Sequence, residues 1–242
     1  MSKRKSSTAS TGTSSNTTTS QLPLTDSLPT VVTDNERKII DGLLDQVYKQ
    51  SSLPVGFEFD SFQKECWARL LKGRDLLVSL RTGGGKFLIA ALAVLFCYFG
   101  VCFMFVPLDM LILEHEQSLY KLGIPEDRVL ILTKSNMEEV MQQVLATKVG
   151  GNPLYVLAHP ERFVEIFRKK AMSRCTSISV LIADEVQLVK EWGMGGFRVA
   201  WKLFRQMREH HDKLRFVGFS GSLNGKQRKE VCDIVGIHPY SW

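Results

Sequence analysis

The sequence predicts an α/β fold, a mostly parallel sheet with helices on both faces, preceded by a low-complexity tail. Three observations predict it. Short apolar, β-prone runs alternate with stretches of helical periodicity along most of the chain. A glycine-rich turn with a lysine, RTGGGKF at 81–87, stands between an apolar run and an apolar helix-like stretch. A third apolar run, SVLIA, ends in two carboxylates, Asp184 and Glu185. Folds of this class bind ligands at the carboxyl ends of their strands, so both features are expected at one edge of the sheet.

Residues 1–33 are Ser- and Thr-rich with no aromatic residue, and are expected to be disordered because they cannot bury enough apolar surface to offset their ordering entropy. From Asp34, a plausible cap, Ile39, Leu43 and Val47 with Ile40 and Leu44 make a helical stripe. A second helix is expected over Phe62–Leu71, so residues 34–72 form N-terminal helices and 73–242 the α/β domain. Strands are expected at Leu76–Leu80, Val101–Val106, Val129–Leu132, Leu154–Ala158, Ile178–Ala183 and Phe216–Phe219. Helices separate them at Phe87–Tyr98, Met110–Leu122, Met137–Thr147, Arg162–Met172 and Val199–His210, and Gly225–Val235 follows the last.

Composition narrows the function classes. The chain of 242 residues is 44% hydrophobic and 23% charged, an ordinary globular balance. A net charge of +6 permits nucleic-acid binding without requiring it. The five cysteines form no C-x-x-C pair, which argues against a zinc knuckle or a thioredoxin-like motif. Scattered through apolar stretches, they read as reduced core residues. The apolar run Phe87–Val106 raises the question of a membrane span. Gly100 splits it into a helix-like half and the β-rich VCFMFV, so no membrane association is expected. Lys3, Arg4 and Lys5 precede no apolar segment, so they open no secretory signal. They read as a solvated charge cluster or a weak nuclear-import signal.

The glycines of RTGGGK would let backbone N–H groups turn around an anion, and the following helix N-terminus adds favourable partial charge. Lys86 would reach the β- and γ-phosphates of a nucleotide. A glycine turn with a chance lysine is the alternative. A phosphate loop normally continues with Ser or Thr, whose hydroxyl ligates Mg²⁺; here the next residue is Phe87. Asp184 at a strand end would hold Mg²⁺, and Glu185 would orient or deprotonate the attacking water. A DE pair opening a surface loop is the bland alternative. After it comes VKEWGMGGFRVAW, where Trp192, Phe197 and Trp201 lie near Lys190, Arg198 and Lys202. Aromatics interleaved with cations can stack on bases and neutralise phosphates. Trp201 reads as core, Trp192 and Phe197 as loop residues facing nucleic acid.

Together these residues resemble the first RecA-like domain of a RecQ-type DNA helicase, over about residues 55–240. FDSFQ resembles the adenine-reading motif, with Phe59 and Gln63 in place. RTGGGK resembles PTGGGKS, and FVPLDMLILEHEQSL resembles a segment that contacts the DNA strand. YVLAHPERF resembles YxxPE(R/K), with Pro160 and Glu161. ADEVQLVKEWG resembles DEAHCxSxWG, Phe197-Arg198 matches the end of the aromatic-rich loop, and GFSGSL resembles ALTATA. The departures are Phe87 for Ser, Arg81 for Pro, Asp60 for Arg, Gln187 for His, Val106 for Ser, and Ser220-Gly221-Ser222 for Thr-Ala-Thr.

The resemblance implies a RecA-like P-loop fold and ATP with Mg²⁺ as cofactors. Phe59 and Gln63 would read adenine, Thr82, Gly83, Gly84, Gly85 and Lys86 hold phosphates, and Asp184 holds Mg²⁺. Lys86 and Glu185 are the catalytic candidates. Trp192, Phe197 and Arg198 would contact single-stranded DNA or DNA junctions. Gln187, Ser220 and Ser222 would couple the two sites. It also implies 3′-to-5′ movement along DNA and a nuclear location. An intact relative clamps ATP between two RecA-like domains, the second supplying arginine fingers; this chain stops near Trp242, so a second domain is expected to act in trans or not at all. An arginine finger accounts for roughly 10³–10⁵ in rate in the analogous GTPases, so feeble or absent autonomous hydrolysis is expected. A degenerate DNA- or protein-binding module, a functionless fragment and an unrelated P-loop ATPase are the competing readings.

Overall fold

The computed structural model describes residues 32–81, 83–168, 175–187 and 196–237, with the side chains of 197, 198, 200–202 and 210 outside the description. Two helices open it, α1 (Asp34–Gln50) and α2 (Ser61–Leu71). The alternation then runs β1 (Leu76–Ser79), α3 (Lys86–Ala93), β2 (Val101–Phe105), α4 (Asp109–Lys121), β3 (Val129–Ile131), α5 (Met137–Ala146), β4 (Leu154–Ala158), α6 (Pro160–Phe167), β5 (Ile178–Ala183), α7 (Gly196–His210), β6 (Arg215–Ser220) and α8 (Gly225–Val235).

The six strands form one parallel sheet in the order β1-β6-β5-β2-β4-β3. Side chains alternate faces along a strand, and β2 divides accordingly. Val101, Phe103 and Phe105 enter the core under α5, α6, α7 and α8. Cys102 and Met104 enter the opposite core, with α1, α2, α3 and α4. The α/β architecture with helices on both faces is therefore the one expected. One bulge interrupts the register: Val101 pairs Ile178 and Cys102 pairs Val180, leaving Ser179 extra. Gly100 is required beside it, because a Cβ there would come within 2.3 Å of the Ser177 carbonyl oxygen.

Several boundaries differ from expectation. Thr33 rather than Asp34 caps α1, in a capping box with Glu36, and Val32 packs on the core, so both residues assigned to the tail belong with the helix. The helix expected through Tyr98 ends at Ala93 and tightens into a 3₁₀ turn, Val94–Phe96. Tyr98 and Phe99 then take left-handed backbone angles that no periodicity signals. Helix α6 starts two residues before the expected Arg162, with Pro160 at its first turn, where a missing N–H costs nothing. Helix α7 begins at Gly196, so Phe197 and Arg198, assigned to a flexed loop, lie in its first turn. The rest of that loop, Trp192 included, and the tail through residue 31 lie outside the described residues. No helix among the described residues is long and apolar enough to cross a membrane.

Candidate nucleotide site

Four strand ends meet at one edge of the sheet. The chain leaves β1 into the glycine loop, and the Leu80 N–H donates to the Ser220 carbonyl at the end of β6, at 3.0 Å. The N–H of Asp184 donates to the Phe105 carbonyl of β2, and that of Val186 to Phe219 of β6, at 3.0 and 2.8 Å. These bonds fix the loop and the acidic pair against each other. A cavity of about 260 Å³ opens between them, lined by Gly83, Gly85, Lys86, Phe87, His115 and Asp184 among others.

The loop is shaped for an anion. Gly83 and Gly85 have φ of 78° and 76°, angles that side-chain-bearing residues rarely adopt. Gly85 is the N-cap of α3 and supplies no side-chain cap, so first-turn N–H groups face the cavity end of the helix. The Lys86 ammonium stands 3.8 Å from Oε1 of Glu185, too long for a hydrogen bond. So loose a pair contributes about 1 kcal/mol or less, and the lysine can exchange it for phosphate oxygens.

Glu185 is held in an uncommon geometry, with φ of 49°. Its N–H donates to Oδ1 of Asp184 at 2.9 Å, and the Gln187 amide donates to its Oε2. Oδ2 of Asp184 faces Nε2 of His115 at 3.4 Å, and the His115 ring stacks on Phe87 with centroids 5.1 Å apart. Ser220 is fully buried, and its Oγ accepts the Ser222 N–H at 3.1 Å, whereas Ser222 is exposed.

The adenine-motif residues divide. Gln63 is buried, and a Cβ on Gly85 would fall 2.4 Å from its Nε2, so its amide lies directly on the glycine loop. Its Oε1 accepts the Asp60 N–H while Asp60 accepts the Gln63 N–H, closing a capping box at the start of α2. The D-x-x-Q spacing carried that signal, and it gives Asp60 a local reason to replace arginine. Phe59 packs edge-on against Trp67 and borders a different hollow, with Tyr48 and Lys64. Gly84 closes the turn through its N–H to the Arg81 carbonyl; Thr82 lies outside the described residues. Sequence reasoning missed His115. Its partner is 69 residues away, and no local spacing marks a helix histidine as facing a strand-end aspartate.

The residues present do not fit a Mg²⁺ held by the chain. The position after Lys86 offers a ring instead of a hydroxyl, and a direct Mg²⁺ bond to Asp184 would compete with His115 Nε2 at 3.4 Å from Oδ2 and with the Glu185 N–H on Oδ1. Among the described residues, no three His, Cys, Asp or Glu side chains are grouped to hold a metal ion.

A parallel sheet with a glycine loop after its first strand and an acidic pair facing it defines the P-loop nucleotide-binding class, here in RecA-like form. The chain belongs to the DEAD/DEAH box helicase family, whose profile matches residues 60–231. It is 29% identical over 151 residues to the ATP-dependent DNA helicase RecQ of Pasteurella multocida, covering 60% of this chain and 23% of that protein. With the ATP-dependent DNA helicase RecQ of Haemophilus influenzae it shares 27% over 160 residues, covering 64% and 25%. The chain thus spans about a quarter of the length of these two relatives. Among solved structures, the Pyrococcus furiosus Hef helicase domain has the same fold, with a TM-score of 0.59 and 21% identity over 73% of this chain and 36% of that one.

Proposed function

We propose that the chain is the ATP-binding lobe of a RecQ-like 3′-to-5′ DNA helicase, binding ATP and DNA with little or no hydrolysis of its own. The observation that carries this is Lys86, set on an uncapped helix N-terminus at the cavity and 3.8 Å from Glu185. An incoming polyphosphate would draw Lys86 from Glu185, and the loop from Thr82 to Gly85 would surround it, with Gly83 and Gly85 offering N–H donors while that of Gly84 stays on the Arg81 carbonyl. Glu185, released, would orient a water for attack. Gln63, lying on Gly85, links the loop to the adenine end, where Phe59 would add apolar contact. Trp192, Phe197 and Arg198 would meet single-stranded DNA or a junction. Ser220, tied both to the loop after β1 and to Ser222, would pass the nucleotide state onward, with Gln187 doing so through Glu185.

Hydrolysis needs the transition-state charge neutralised, and an arginine from a second RecA-like domain in trans would supply part of what this lobe lacks, the other part being a well-held Mg²⁺. Nuclear placement is carried by Lys3-Arg4-Lys5 and by nothing in the fold.

A second reading is favoured by one observation, the Phe87–His115–Asp184 contact: a non-catalytic DNA- or protein-binding module descended from such a helicase. Calorimetry with ATP, ATPase assays with and without single-stranded DNA, and DNA binding at varied nucleotide separate the two. ATP binding lost in Lys86→Ala, with turnover near background and DNA affinity that shifts with ATP, is expected. DNA affinity indifferent to nucleotide would favour the module. DNA-stimulated turnover abolished by Lys86→Ala would show a competent enzyme instead. No ATP binding at all would sink the nucleotide reading.

A further inference from the structure

The cavity beside Asp184 is lined by two ring side chains, Phe87 and His115. Phe87, directly after the loop lysine, lays its ring on His115 with 29° between planes. His115, only 14% exposed, comes from α4 and places Nε2 3.4 Å from Oδ2 of Asp184. The other carboxylate oxygen is taken by the Glu185 N–H. Three elements, α3, α4 and the end of β5, thus close one point in space.

A Mg²⁺ shared between protein and nucleotide needs oxygen donors at about 2.0–2.1 Å in near-octahedral array, and keeps several waters. Here the donor expected after Lys86 is an aromatic ring. An imidazole stands 3.4 Å from one oxygen of the carboxylate, and the Phe87–His115 ring pair lines the cavity beside Asp184. The glycine turns and Lys86 line the same cavity as this ring pair, and α3 opens there without a side-chain cap.

We infer that this site takes a nucleotide polyphosphate free of divalent cation. The loop N–H groups, the helix terminus and Lys86 hold the anion, and the Phe87–His115–Asp184 cluster replaces the metal corner. The inference rests on the nucleotide reading above and specifies the form of its ligand.

Calorimetric titration of the full chain with ATP, once in Mg²⁺ and once in EDTA, tests it. The two Kd values are expected to agree within about twofold. In a Phe87→Ser, His115→Ala double variant, which restores a hydroxyl and frees Asp184, EDTA is expected to weaken binding by about tenfold or more. A wild-type affinity that drops about tenfold in EDTA overturns the inference and leaves nucleotide binding standing. Equal affinities in both proteins overturn the role given to Phe87 and His115. Absence of binding in both buffers overturns the nucleotide reading and this inference together. Should circular dichroism show the double variant unfolded, Phe87→Ser alone is compared, and the wild-type pair of titrations decides by itself.

Discussion

Glu185 shows how one residue's backbone serves a site. At φ of 49° its Cβ crowds the following carbonyl, a conformation costing roughly 1–2 kcal/mol in a side-chain-bearing residue. The Asp184 carboxylate, the Gln187 amide and the Val186 N–H bond to β6 over-determine the turn, so the strain persists. Both Glu185→Ala and Glu185→Gly lose the carboxylate, but only glycine relieves the angle. Glu185→Gly is expected to be about 1 kcal/mol more stable than Glu185→Ala, read from urea unfolding midpoints. Equal midpoints would show that the angle carries no strain. The acidic pair itself was legible after SVLIA, because a strand ending in carboxylates is a local pattern. The left-handed angle was not, because the hydrogen bonds that impose it come from β6 and from the neighbouring side chains.

At the scale of elements, Asp75 ties three of them together. It stands just before β1, 2% exposed, where Oδ1 accepts the Phe216 N–H of β6 at 2.8 Å and Oδ2 pairs with Arg208 of α7. Removing it takes the Oδ1 acceptor from the Phe216 N–H and the carboxylate from Arg208, whose guanidinium keeps its place over the Phe204 ring. Because Arg208 keeps 25% of its side chain in water, the cost is below that of a fully buried pair. Asp75→Ala is expected to lose about 2–3 kcal/mol in denaturant titration, and Asp75→Asn clearly less, since it retains an acceptor for Phe216. Equal losses would place the whole effect on the Arg208 pair. The elements themselves were largely readable: β2, β4 and β5 fall where apolar runs predict them, and the capping boxes of α1 and α2 follow their spacing. Asp75 gave no signal in KGRDLLV, because its partners are supplied by strand and helix packing far along the chain.

For the whole molecule, the buried thiols set a pH dependence. All five cysteines are buried and free. Burial pushes the thiols of Cys66 and Cys97 up to about 12 and that of Cys232 up to about 11, and it raises Cys102 well above the ordinary range. In the unfolded chain these groups ionise near about 8.5, so above that pH the unfolded state holds fewer protons than the folded one. The stabilising contribution is complete below that value and declines as pH climbs towards the folded values. A lower urea midpoint at pH 10 than at pH 8 is expected, with slow reaction of native thiols towards a disulfide reagent; a higher midpoint at pH 10 would contradict it.

The sequence by itself determined the architecture and the glycine turn between β1 and α3. Strand and helix periodicities are written in neighbouring residues, and a glycine turn between a strand and a helix has one common use. The tertiary structure decided the strand order β1-β6-β5-β2-β4-β3, the Gln63 amide against Gly85, and the meeting of Phe87, His115 and Asp184. Each of those depends on which elements pack side by side, a choice made by burial over the whole sheet. Phe87 alone announced a missing hydroxyl, and only the approach of His115 on α4 to Asp184 after β5 showed what stands in its place.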